Sequence, residues 1–159
     1  MTASNFSIEA MQQAADFSNG YNGDKSQQKL PMQNVWIVAP AAAINSNARE
    51  MAQWLRLLLG GGSLNGKRLV STIGFQEMLT KLSRVDNEKS YGLGLFIEKS
   101  RSSRQRLLYW HGGSLDGFTS WVGFIPEQKL GIALLTNSSS SGVKFYQAAR
   151  SIVFAHLLR

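Results

Sequence analysis

The run Leu130–Leu135 is apolar at every position and is bounded by Pro126-Glu127-Gln128-Lys129 on one side and Thr136-Asn137 on the other. A strand with no polar face is covered on both sides. The run therefore predicts a sheet with helices above and below it. It is far too short to span a bilayer. Three more segments upstream, Phe118–Ile125, Arg106–His111 and Tyr91–Glu98, are rich in aromatic and β-branched residues and are separated by turn-forming residues. With Leu130–Thr136 they predict four strands and an α+β fold, an antiparallel β-sheet flanked by helices.

The helices follow from a different period. Met51, Trp54, Leu55 and Leu58 fall on one face of a helix over 47–59, with Ser46 or Asn47 as its cap and Glu50 placed as in a capping box. Gly60-Gly61-Gly62 ends it, and Leu64–Leu69 predicts a small hairpin turning at Asn65-Gly66. Ser71 caps a second helix through Leu82. The segment Val143–Leu158 is helical, with Tyr146, Ala149, Val153 and Leu157 in one stripe. Residues 1–34 are polar, with a short helix near Ile8–Ala15, and contribute little core. With 159 residues, 43% hydrophobic and 17% charged, the chain has side chains for one core and is not a disordered sequence. There is no internal repeat. Met1–Gly20 has neither a basic n-region nor an apolar h-region, so it does not read as a signal peptide.

Several motifs have plainer explanations than the chemistry they suggest. Gly61–Lys67 fits G-x-x-x-x-G-K, but Arg68 stands where a phosphate loop needs Ser or Thr, and the segment follows a helix rather than a strand. Ser-x-x-Lys occurs at Ser26…Lys29 in a polar loop and at Ser141…Lys144 at a helix start with no evident partner. That spacing supports catalysis only where a buried helix sets the lysine amine beside the hydroxyl. Arg101, Arg104 and Arg106 near Tyr109 and Trp110 could hold single-stranded nucleic acid, but a solvated loop between two strands explains them. The formal charge of +7 is read the same way, and no nucleic-acid partner is expected. There is no cysteine, and neither His111 nor His156 has a carboxylate at ligand spacing, so no metal or other cofactor is expected.

The most informative stretch is Trp110–Asn137. It reads as a strand ending in His111-Gly112-Gly113-Ser114, then two further antiparallel strands. Glycines at a strand end let another backbone approach closely. This stretch resembles the third motif of the class C β-lactamase and D-Ala-D-Ala carboxypeptidase family of penicillin-recognising serine hydrolases. In that family Lys-Thr-Gly or His-x-Gly precedes a Gly-Phe turn, a strand ending in Pro-Glu and a strand ending in Asn. Tyr91-Gly92-Leu93-Gly94, Pro40–Ser46 with Met51-Ala52, and Asn65–Leu69 are similar to other family segments, in the family's order. Ala42-Ala43 departs from the family's Gly-Gly. The family's Ser-x-x-Lys and Tyr-x-Asn motifs precede everything matched here. Met1–Ser7 is similar to a mid-protein segment, so residues 1–159 are expected to form the C-terminal portion of the domain, starting at an internal methionine.

The resemblance implies acyl transfer through a serine ester, on a β-lactam or a D-Ala-type peptide or ester. His111 and Ser114 would be the catalytic contributions of this chain. The Ser114 N–H would serve as one oxyanion donor, and His111 would bond a catalytic tyrosine or a substrate carboxylate. Gly112, Gly113, Leu115 and Asn137 would bind substrate. The chain alone would be inert. An alternative is a stand-alone peptidoglycan-peptide-binding module or pseudoenzyme using the same edge. The resemblance further implies a periplasmic or secreted parent protein. It also implies that Leu130–Thr136 has an open edge inviting self-association or the missing N-terminal portion.

Overall fold

The computed structural model describes residues 1–23, 27–100, 106–115 and 117–157. The first elements are short. Helix α1 (Ile8–Gln12) is capped by the Ser7 hydroxyl, which accepts from the Ala10 N–H at 3.0 Å. A single helical turn at Trp36–Val38 leads into α2 (Ala39–Ala42). Helix α3 (Ala48–Leu59) begins where expected, with the Asn47 side chain accepting from the Glu50 N–H at 3.0 Å. The other half of the capping box is diverted. The Glu50 carboxylate accepts from the Ala3 N–H at 3.2 Å and the Ser4 hydroxyl at 3.4 Å, and so ties the first residues to α3.

The hairpin β1 (Ser63–Leu64) and β2 (Lys67–Arg68) turns at Asn65-Gly66. Arg68 donates to the carbonyls of Gly61 and Val70, so the glycine-rich segment is a helix exit braced by an arginine and not a phosphate loop. Helix α4 (Thr72–Met78) is capped by Ser71 but stops short of the expected Leu82. Leu82 is already committed to the sheet, its N–H donating to the Tyr91 carbonyl at 3.0 Å.

Among the described residues the main sheet has six antiparallel strands in sequential order: β3 (Ser83–Arg84), β4 (Lys89–Tyr91), β5 (Phe96–Lys99), β6 (Leu107–Leu115), β7 (Phe118–Ile125) and β8 (Leu130–Thr136). The last two match the sequence expectation residue for residue. The expected single strand Tyr91–Glu98 is instead two, β4 and β5, folded back at Gly92–Leu95. Gly94, at φ +81°, takes the left-handed conformation that such a turn requires. Strand β6 also runs past His111 to Leu115, because β7 pairs with it through both glycines. Helix α5 (Ser140–Leu157) closes the chain.

Alternation along β7 and β8 explains the two-sided apolar run. Trp121, Ile125, Leu130, Ile132 and Leu134 face α5, where they meet Leu108, Trp110 and Tyr146. Val122, Phe124 and Ala133 face α3 and α4, where they meet Leu55, Leu58, Phe75, Leu95, Ile97 and Tyr109. Each fully buried side chain of this size contributes about 1.5–3 kcal/mol. Burial pushes the Tyr109 phenol above its ordinary value, and the Glu127 carboxylate adds to the effect. An acid that holds its proton more tightly when folded contributes stability at neutral pH that is lost as pH rises past its unfolded value of about 10. Urea unfolding of wild type should therefore weaken more steeply above that pH than that of Tyr109→Phe. Parallel profiles would contradict the assignment.

Candidate active site

Strand β5 ends beside the middle of β6. Its register with β6 runs from Lys99↔Leu107 to Phe96↔Trp110 and goes no further, whereas β7 pairs β6 all the way to Leu115. Among the described residues the segment His111–Leu115 is thus paired on one side only. His111, Gly113, Ser114 and Leu115 are exposed, and Gly112 is half-buried.

Which backbone groups face the open side follows from one bond. The Ser100 N–H donates to the Arg106 carbonyl at 2.6 Å, which makes Ser100–Arg106 a hydrogen-bonded pair across β5 and β6. Such pairs alternate along an antiparallel ladder. Residues 106, 108 and 110 therefore point their N–H and C=O groups toward β5, and 107, 109 and 111 toward β7. Continued along the strand, this parity turns Gly112 and Ser114 outward into the gap that β5 leaves. The far end agrees, because Leu115↔Phe118 then closes the two-residue turn as a hydrogen-bonded pair.

Side chains supply the surroundings. A Cβ on Gly113 would come within 2.5 Å of the Ser120 hydroxyl oxygen, so glycine there makes room for a hydroxyl on the next strand. Ser120 was not legible as a site residue. Counting back from the Asp-Gly turn would have found it, since Leu115↔Phe118 fixes Gly113↔Ser120. The imidazole of His111 lies 5.7 Å from the Phe96 ring, nearly parallel to it, and 6.1 Å from the Tyr91 ring, edge-on.

The far end of the edge is held by a strap from the N-terminal segment. The Tyr21 N–H donates to the carbonyls of Gly117 and Asn137, and the Tyr21 carbonyl accepts from the Ser139 N–H. Gly117 has φ +83°, and a Cβ there would sit 2.5 Å from Gly20 Cα, so two backbones meet in contact. Asn137 lies at the end of β8 with its amide nitrogen donating to the Ser18 hydroxyl at 2.9 Å and the Asn19 carbonyl at 3.1 Å. Its amide nitrogen is thus engaged by the strap, while His111–Leu115 form one continuous edge.

Other sequence candidates lie elsewhere. The Ser141 hydroxyl bonds to that of Ser138 rather than to Lys144. Ser26, Arg101, Arg104 and Asp116 lie outside the described residues. Among the described residues no group of three metal-ligating acidic or histidine side chains gathers, and no helix is long and apolar enough to cross a membrane.

An antiparallel sheet packed between helices is the fold this chain shares with β-lactamases and penicillin-binding proteins. The Beta-lactamase family model matches residues 1–157, and the chain belongs to that family. The octameric penicillin-binding protein homologue from Pyrococcus abyssi is 27% identical, with a TM-score of 0.77 over 98% of this chain and 34% of its own. A class C beta-lactamase shares the fold at 16% identity and TM-score 0.74, covering 96% of this chain and 46% of its own. The penicillin binding protein from Bacillus halodurans does so at 16% identity and TM-score 0.63, covering 87% and 41%. The chain thus spans less than half the length of each of these proteins. No curated protein matches it.

Proposed function

We propose that this chain forms the substrate-binding wall of a serine acyl hydrolase that acts on β-lactams or D-Ala-type peptides and esters through an acyl-enzyme. The observation that carries the reading is the outward parity of Gly112 and Ser114 on an edge that no other described strand covers. A substrate backbone laid along that edge gains strand-like hydrogen bonds. The Ser114 N–H is one oxyanion donor for the tetrahedral intermediate. A serine from outside these 159 residues attacks the carbonyl carbon and supplies the second donor from its own amide. The C–N or C–O bond breaks as the leaving atom takes the proton the serine hydroxyl gives up, and water then hydrolyses the ester, returning a proton to the serine oxygen. His111, at the start of the edge, bonds the substrate carboxylate or the proton-carrying tyrosine. Leu115 and Gly113 border the substrate, and Asn137 acts through the strap. The outer edge of β8, unpaired among the described strands, is where the rest of the domain or a second copy would add.

The test is amide NMR of the chain titrated with benzylpenicillin, alongside labelling by a fluorescent penicillin. We expect the Gly112 and Ser114 amides to shift and no serine of the chain to be acylated. Unmoved amides at both positions would overturn the edge assignment. Acylation of any serine within the chain would overturn the placement of the nucleophile.

A further inference from the structure

We propose that Phe96, assisted by Tyr91, is a positioning residue that holds the His111 imidazole in one orientation beside the open edge. His111 is exposed, and no hydrogen bond or ion pair fixes its ring among the described residues. A side chain in that position samples several rotamers unless packing selects one. The contacts that select it are aromatic. Phe96 lies 5.7 Å from the imidazole at an interplanar angle of 28°, and Tyr91 lies 6.1 Å away at 64°, so one ring covers its face and the other meets it edge to face.

Phe96 is itself immobilised from behind. It stacks on Trp110 at 4.6 Å and meets Tyr91 at 4.8 Å. Trp110 stacks on Trp121 at 6.1 Å, and the Arg150 guanidinium sits 5.8 Å from the Trp110 ring while pairing with Glu98 at 3.4 Å. A relay of rings thus runs from α5 to the imidazole. Phe96 and Tyr91 belong to neither of the two core clusters. Phe96 is also the first residue of β5, just after the chain turns in from β4, so the residue at which pairing with β6 stops, leaving the edge open, is the one that lies beside the histidine.

The inference deepens the proposed function and rests on it only for its consequence in binding. The chain has two histidines, so His156→Gln assigns the His111 ring resonances. In wild type we expect upfield-shifted imidazole protons with cross-relaxation to Phe96. In Phe96→Leu both should be lost, and Phe96→Tyr should restore them. An aromatic contact of this kind shifts a rotamer population by up to roughly tenfold. The benzylpenicillin dissociation constant, read at the Gly112 and Ser114 amides, should rise by about that factor in Phe96→Leu and recover in Phe96→Tyr. Tyr91→Leu serves as the second variant should Phe96→Leu unfold. His111 resonances unchanged in the folded variant, or changed with an unchanged dissociation constant, would overturn the proposal. Failure of benzylpenicillin to bind wild type would instead sink the functional reading, and the ring resonances would still decide the orientation.

Discussion

Ser114→Pro should leave the fold intact and cut acylation by about 10²–10³-fold in a protein where a serine completes the site. Proline deletes one N–H, and at position 114 that group points into the gap beside β6 rather than at β7. Proline is tolerated in strands where its missing donor faces solvent. Ser114→Ala keeps the N–H and should stay close to wild type in rate, which separates the amide from the hydroxyl. Gly113→Pro provides the opposite control. Its N–H points at β7, so the same substitution one residue earlier removes a ladder bond as well as setting a Cβ against the Ser120 hydroxyl, and it should lower the unfolding midpoint further than Gly113→Ala, which keeps the N–H and carries only the clash. If positions 113 and 114 respond alike in both stability and rate, the parity argument is wrong and the oxyanion assignment goes with it.

The contrast between 113 and 114 also shows what the sequence could and could not convey. Strands β7 and β8 were legible to the residue, because an eight-residue run and a seven-residue run with strong β formers are closed by Asp-Gly and Pro-Glu-Gln-Lys turns. The start of α3 was legible from Asn47, whose short side chain has one good use at a helix entry. The gap beside β6 was not, since it depends on where β5 begins, and the sequence shows β4 and β5 as one uninterrupted run. Gly92 and Gly94 sit within that run, yet they form the turn that separates β4 from β5. Without that turn there is no gap beside His111.

The candidate site was half legible for a related reason. His111–Ser114 could be located from the resemblance, because its residues are contiguous. The groups around it come from distant parts of the chain. Asn137 reaches Ser18 and Asn19 across more than a hundred positions, and the Tyr21 strap has no periodic signature, only a turn signal after it at Asn22-Gly23. Phe96 looked like one more strand aromatic. Its contact with His111 depends on a register that only tertiary pairing defines.

The largest loss of stability is expected at Trp121. It is 1% exposed, the largest of the fully buried side chains, and its ring covers Gly123, where an added Cβ would approach the indole to 2.3 Å. Truncating a buried aromatic of this size costs about 3–5 kcal/mol, against a total of about 5–15 kcal/mol for an ordinary domain. Trp121→Ala also removes one of the two indoles beneath Arg150, whose guanidinium lies 5.6 Å from this ring, and loosens the stack behind Trp110. Helix α5 should then dock less firmly, because the sheet face it covers is built from these residues. Urea denaturation should show a lower midpoint with little change in slope. Trp36→Ala provides the comparison within the same molecule. That indole is 78% exposed, and its removal should change stability by no more than about 0.5 kcal/mol. Equal losses at the two tryptophans would mean that the α5 face of the sheet does not organise this fold. The relay of rings that carries rigidity from α5 to the His111 imidazole would then have no foundation.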